Sequence, residues 1–278
     1  MSVVMINHKR PLLSVKTGTP RVLKAISSIL QMNFKTASII MCEQGMFVQE
    51  FKDNNGQITF DVLLKAQCFL EYKMPKIEGE GSKYITMGFG TQDFKNALST
   101  ILSTDTLTMS IHPSNIDVVA IEIEKKNSPA KINNFFTLCS TALTNVITPV
   151  YVDHTPNVTV AIPAYQAIFK SMKKSTNDNA LVLVCAQAEG IKFSDNTKAG
   201  MHGNGGVLGT YNDAIAPICT YLIPQLRLRS FSEVSAISTR DTIRIYASPD
   251  LPLRLSTDAG ALGPINMYLT TPSAQPEQ

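Results

Sequence analysis

The sequence predicts an α+β fold built from two similar halves, and three observations carry that prediction. Short β-rich runs bounded by Gly, Asn, Asp and Pro outnumber helical stretches along the whole chain. A succession of helix, strands, helix, strands occurs twice. The helical stretches share an apolar stripe on one side and a basic bias on the other.

The first half opens its regular structure with Arg21–Leu30, where Val22, Leu23, Ile26, Ile29 and Leu30 fall at helical spacing. A β-rich run follows from Ala37, reaches Cys42-Glu43-Gln44, turns at Gly45 and continues through Met46-Phe47-Val48. Phe94–Leu102 is helical by the spacing of Phe94, Ala97, Leu98 and Ile101, and precedes a strand at Thr106–Ile111. The second half repeats this order. Ala164–Lys173 places Tyr165, Ile168, Phe169 and Met172 on one face, and leads into Ala180–Cys185, Ala186-Gln187, a turn at Gly190 and a further strand to Phe193. Leu228–Ile237 puts Leu228, Phe231, Val234 and Ile237 at helical spacing before a strand at Thr242–Ala247. Strands interrupted by so few helices argue for a duplicated α+β unit over alternating βαβ units.

The expected domains are 1–140 and 157–278, joined by a linker over 141–156 that holds Pro149 and Pro156 and neither Lys nor Arg. Length supports two domains of ordinary size. With 44% hydrophobic and 17% charged residues the chain is a folded protein and not a disordered one. Its apolar runs are strand-length, so no membrane partner is expected, and the N-terminal order of apolar then basic residues reverses that of a secretory signal. The C-terminal stretch Thr271–Gln278 is expected to fray.

Catalysis and metal binding find no support in the residue pattern. Cys42, Cys68, Cys139, Cys185 and Cys219 form no C-x-x-C pair, and His8, His112, His154 and His202 are scattered without a carboxylate at ligand spacing. Gly203-Asn204-Gly205-Gly206-Val207-Leu208-Gly209 misses the dinucleotide spacing, and a phosphate-binding G-x-x-x-x-G-K-[ST] loop is absent. The expectation is a non-enzyme without cofactor or metal.

Charge placement is more informative than the net charge of +3. The four helical stretches carry Arg21, Lys24, Lys95, Lys170, Lys173, Lys174, Arg227 and Arg229 against Asp93 and Glu233. Any one of these lysines alone reads as a solvated face; a shared sign across four helices reads as an anion-contacting surface. Basic residues without interleaved aromatics, in a chain lacking Trp, suit duplex phosphates and not stacked single strands. Those eight residues are the expected DNA-binding set.

Several short motifs then resemble one family. Glu189-Gly190-Ile191-Lys192-Phe193-Ser194 followed by Gly203-Asn204-Gly205, and Asp250-Leu251-Pro252-Leu253 followed by Tyr268-Leu269-Thr270-Thr271-Pro272, are similar in order and spacing to segments of the proliferating cell nuclear antigen (PCNA) family of DNA sliding clamps. Met87-Gly88 also matches that family's pattern ahead of its second helix. The resemblance implies a homotrimeric ring of two-domain subunits, with helices lining an inner surface and β-sheets outside. It implies a polymerase processivity factor that encircles double-stranded DNA, is placed there by a clamp loader, and docks polymerase and other replication or repair clients through short peptides. The client site implied comprises Phe51, Val146, Ile147, Pro149, Tyr151, Pro252, Tyr268, Leu269, Thr270 and Pro272. The implied subunit contact pairs an edge strand at Lys131–Leu138, with Ile132, Phe135 and Leu138, to a second at about 202–210, with Asn204 and Val207. Location follows function: the nucleus, or a cytoplasmic or nuclear replication site for a viral clamp. The mildly basic charge and the glycine-rich 200–209 segment depart from the family's usual pattern and suit a divergent clamp, such as that of a large DNA virus. The alternatives are a subunit of a heterotrimeric checkpoint clamp, or a monomeric or dimeric viral processivity factor.

Overall fold

A computed structural model describes residues 11–52, 58–75, 84–126, 128–139, 155–172, 180–195, 207–238 and 240–271. Residues 141–154 of the expected linker over 141–156 and the tail from Pro272 lie outside them, as do Lys173, Lys174, Val146, Ile147, Pro149, Tyr151 and Asn204.

In chain order the elements begin β1 (Leu13–Thr17), α1 (Arg21–Asn33), β2 (Thr36–Cys42), β3 (Gly45–Lys52), β4 (Ile58–Lys65) and β5 (Glu71–Lys73). They continue β6 (Tyr84–Gly90), α2 (Thr91–Ala97), β7 (Thr106–His112), β8 (Asn115–Glu124) and β9 (Lys131–Thr137). The second series is β10 (Val158–Ala161), α3 (Ile162–Ser171), β11 (Leu181–Ala186), β12 (Gly190–Asp195), β13 (Val207–Gly209) and β14 (Cys219–Pro224). It ends α4 (Gln225–Ser230), β15 (Thr242–Tyr246), β16 (Leu253–Asp258) and β17 (Pro264–Leu269). The chain forms two compact units: Met1–Gln31, Lys35–Val48 and Leu63–Leu143 in the first, Met32–Phe34, Gln49–Val62 and Thr144–Gln278 in the second.

The first unit contains an antiparallel sheet ordered β5-β1-β7-β8-β9 and a ladder β3-β2-β6. Strict alternation in β7 buries Leu107, Met109 and Ile111 on one face, as a half-buried strand requires. Helix α1 covers this core with Val22, Leu23, Ile26, Ile29 and Leu30, all buried as their spacing predicts. Each such side chain stabilises by about 1.5–3 kcal/mol relative to leaving it exposed. Phe89 of β6, Phe94 of α2 and Phe136 of β9 close the core as a ring triangle, with centroids 4.8, 5.7 and 5.4 Å apart.

The second unit contains the ladder β10-β15-β16-β17, continued by residues 58–62 of β4, and a four-stranded sheet ordered β13-β12-β11-β14. Here Tyr165 and Phe169 of α3 meet Phe193 of β12, with centroids 4.8 to 6.1 Å apart. The Tyr165 hydroxyl, fully buried, donates to the Leu228 carbonyl at 2.8 Å and joins α3 to α4. Sheets with few helices, arranged twice, bear out the α+β fold expected from the sequence.

Two helices differ most from their expected extents. The second was expected over Phe94–Leu102 but occupies Thr91–Ala97. Beyond it, the Leu102 amide donates to Asp105 Oδ2 at 2.8 Å, and two lysine ammoniums take the Ser99, Thr100 and Ile101 carbonyls, so this stretch folds as a loop. The fourth, expected over Leu228–Ile237, is α-helical only over Gln225–Ser230 and continues as a 3₁₀ helix over Phe231–Ala236. Its serines explain the change. Ser230 and Ser232 hydroxyls donate back to the Arg227 and Arg229 carbonyls at 2.8 and 2.7 Å, competing with the helical ladder.

Candidate nucleic-acid interface, subunit edges and client face

In the first unit the basic helix residues have different surroundings. Arg21, at the first position of α1, is exposed. Lys24 is half-buried, and its ammonium donates to the Ser99 carbonyl at 2.7 Å and the Ile101 carbonyl at 2.9 Å. Lys95 of α2 donates to Gln31 Oε1 at 3.0 Å, tying the two helices together. In the second unit Lys170 is exposed on α3 and Arg229 half-buried on α4.

Arg227 departs from the expected set. It is 8% exposed, and burial lowers the proton affinity of its guanidinium. Its charge is legible in the sequence but its burial is not: Arg227 and Leu228 are both buried residues of α4. A basic residue that the helical spacing missed is Lys35. It lies two residues beyond the end of α1, is exposed, and its carbonyl accepts from the amide and hydroxyl of Thr91, the first residue of α2.

The two expected edge strands are both at sheet edges. β9 has β8 on one side and no described strand on the other. Its outward residues include Phe135, which is 55% exposed; Ile132 and Leu138 are half-buried, and Leu138 bridges to Phe89. Beside this edge, between α2 and β9, lies a cleft of about 450 Å³ lined by Asp93, Asn96, Asn134 and Phe135 among others. Asn134 fixes its wall by donating to the Ala97 carbonyl at 2.7 Å. In the second unit β13 pairs only with β12 among the described strands; Val207 begins it. Such unpaired edges are templates for another strand.

The client set is less coherent in the folded chain. Leu269 is fully buried and shares its face of β17 with Met267 and Ile265, so it is a core residue. Strand alternation decides this, and the motif match alone did not. Tyr268 lies on the opposite face yet is only 5% exposed. It belongs to a cross-strand row with Arg254 and Tyr246, the guanidinium carbon standing 4.6 Å from the Tyr246 ring centroid and 5.9 Å from that of Tyr268. Arg254 also donates to Asn266 Oδ1 at 3.1 Å. Next to this row Asp61 bonds Gln49 at 3.1 Å, and burial raises its pKa despite that bond and the nearby Arg254. Pro252 and Thr270 are half-exposed, and Phe51 belongs to β3. Among the described residues no group of His, Cys, Asp and Glu is arranged to hold a metal, and no helix is long and apolar enough to cross a membrane.

Two units, each of antiparallel sheets carrying a pair of helices, with a strand edge unpaired among the described strands in each, define the clamp class of fold. No known family profile matches the chain, and no curated protein matches it by sequence. Solved PCNA structures do share its fold. That of proliferating cellular nuclear antigen from Entamoeba histolytica superposes with a TM-score of 0.72 over 95% of this chain and 100% of that one, at 12% identity. The PCNA2–PCNA3 complex from Sulfolobus tokodaii gives 0.70 over 94% of this chain and 100% of the other, at 15% identity. The chain therefore has the fold of the PCNA clamps.

Proposed function

We propose that this chain is a sliding-clamp subunit, which closes with two further copies into a ring around duplex DNA and acts as a polymerase processivity factor where DNA is copied. The observation that carries the reading is the pair of open edges, β9 with its exposed Phe135 and β13, in a chain with the clamp fold over nearly its whole length. Pairing β9 of one copy with β13 of the next is a head-to-tail contact, which generates a closed ring when the rotation allows. Exposed Arg21 and Lys170 then supply phosphate contacts that are independent of sequence and weaken with salt. Half-exposed Pro252 and Thr270, on the segments flanking β16 and β17, are the accessible described positions for a client peptide.

Threading is the property that separates a ring from an ordinary basic binder. Protein loaded on linear duplex should slide off free ends and be retained when both ends are blocked after loading. Equal retention on free and blocked ends would refute the ring. A heteromeric ring is the second reading; the Sulfolobus structure is itself a complex of two different PCNA chains.

A further inference from the structure

The solvent-facing stripe of α1 reads Arg21, Lys24, Ser28 and Gln31, at alternating steps of three and four residues. The next step in that spacing is Lys35, just past the end of the helix at Asn33. The middle of the stripe is already occupied by contacts within the protein. Lys24 gives two of its three donors to the Ser99 and Ile101 carbonyls, in the loop that follows α2, where backbone carbonyls favour a cation. Gln31 accepts from Lys95, so the charge on α2 is drawn onto the same helix. The two ends of the stripe are exposed cations: Arg21 at one, Lys35 at the other.

We infer that Lys35 is a DNA-phosphate contact, that it works with Arg21 as the two ends of a single bracket, and that Lys24 is a structural clip between α1 and the loop after α2. The inference rests on the sliding-clamp reading. Its geometry follows from helix length. Thirteen residues of α-helix span about 20 Å, against a major groove about 12 Å wide. Cations at the two ends of α1 therefore reach phosphates on both sides of a groove, while the centre of the helix offers no free charge to base edges. Contact of that kind holds the duplex without reading it, as sliding requires. The backbone of Lys35 is fixed for this role, since its carbonyl accepts from both the amide and the hydroxyl of Thr91, at 3.1 and 3.2 Å.

The experiment is equilibrium binding of a fluorescent duplex by the full chain across a salt series, for wild type, Arg21→Met, Lys24→Met and Lys35→Met, with a thermal melt of each. Each lost phosphate contact should reduce the slope of log K against log salt by about 0.9. Arg21→Met and Lys35→Met should each show that reduction with an unchanged melt, whereas Lys24→Met should keep the wild-type slope and melt at lower temperature. A wild-type slope for Lys35→Met overturns the inference while leaving the clamp reading in place. So does a slope for Lys24→Met reduced as far as that of Arg21→Met. Should Lys24→Met fail to fold, the Lys35 arm decides alone, with Lys35→Glu as its second variant. Absence of salt-dependent duplex binding by the wild type overturns the inference as well, while the clamp reading stands or falls by retention on end-blocked duplex.

Discussion

The Lys125 ammonium stands 2.6 Å from the Asp105 carboxylate, and the Leu102 amide donates to the same oxygen at 2.8 Å. This pair turns the chain from α2 into β7. It also explains why helical spacing through Leu102 does not produce helix there: an acceptor and two ammoniums satisfy the loop's polar groups locally. Burial pulls the Asp105 carboxyl upward, but the Lys125 and Leu102 hydrogen bonds more than offset it and hold its pKa below the ordinary range.

Replacing Asp105 with Asn should cost about 2–3 kcal/mol at neutral pH, since it removes the counter-charge of Lys125 and weakens the acceptor of the Leu102 amide. The sign of the pH dependence follows from the lowered pKa. The stability contributed by Asp105 is fully present above its unfolded value of about 3.9, and is lost as pH falls through the folded value. Urea titrations at several pH values should therefore show the gap between wild type and variant narrowing in acid. A gap independent of pH would contradict the pairing.

Gly45 has φ of +146°, and a Cβ placed there would lie 2.1 Å from the Leu64 carbonyl oxygen. Gly45→Ala should destabilise the first unit by about 3 kcal/mol or more, through both strain and overlap. Chemical denaturation is the check, and a variant as stable as wild type would show that the turn can open at no cost.

Tyr72 clamps the same turn from β5, its hydroxyl lying 2.8 Å from the Cys42 carbonyl and 2.7 Å from that of Gly45. Burial pushes the phenol well above its usual pKa, so it remains a donor throughout the accessible pH range. Tyr72→Phe should cost about 1–2 kcal/mol by leaving two carbonyls with one donor fewer. Unchanged stability in urea would mean that water replaces the hydroxyl freely.

Arg254 lies between the Tyr246 and Tyr268 rings and reaches Asn266. Arg254→Met preserves much of the stem but removes the stacked plane, and should cost about 1–2 kcal/mol. A denaturation midpoint at the wild-type value would assign the row no energetic role.

Much of the scaffold was legible in the sequence because its signals are local. The apolar spacing of Val22, Leu23, Ile26, Ile29 and Leu30 fixes α1, and alternation fixes β7 and β15. The edge strand expected at Lys131–Leu138 followed from resemblance, and among the described strands β9 stands at the end of its sheet. What was not legible depends on which way a side chain points and what it meets across the fold. Arg227 and Lys24 look alike in sequence to Arg21, yet one is buried and one is bonded to carbonyls brought in from residues 99 and 101. Leu269 sits in a motif that suggested a groove, but strand parity turns it into the core. Lys35 lies outside the helix whose spacing it continues, so helical periodicity does not select it.

The central claim is that open edges on β9 and β13 close copies of this chain into a ring, and solution mass tests it most directly. Light scattering over a concentration series should give the mass of three chains of 30.4 kDa each. Phe135→Glu, which places a charge on the β9 edge, should give one chain's mass with stability changed by no more than about 0.5 kcal/mol. A wild-type protein that stays at the mass of one chain at every concentration, or a Phe135→Glu variant that keeps the mass of three, would contradict the account.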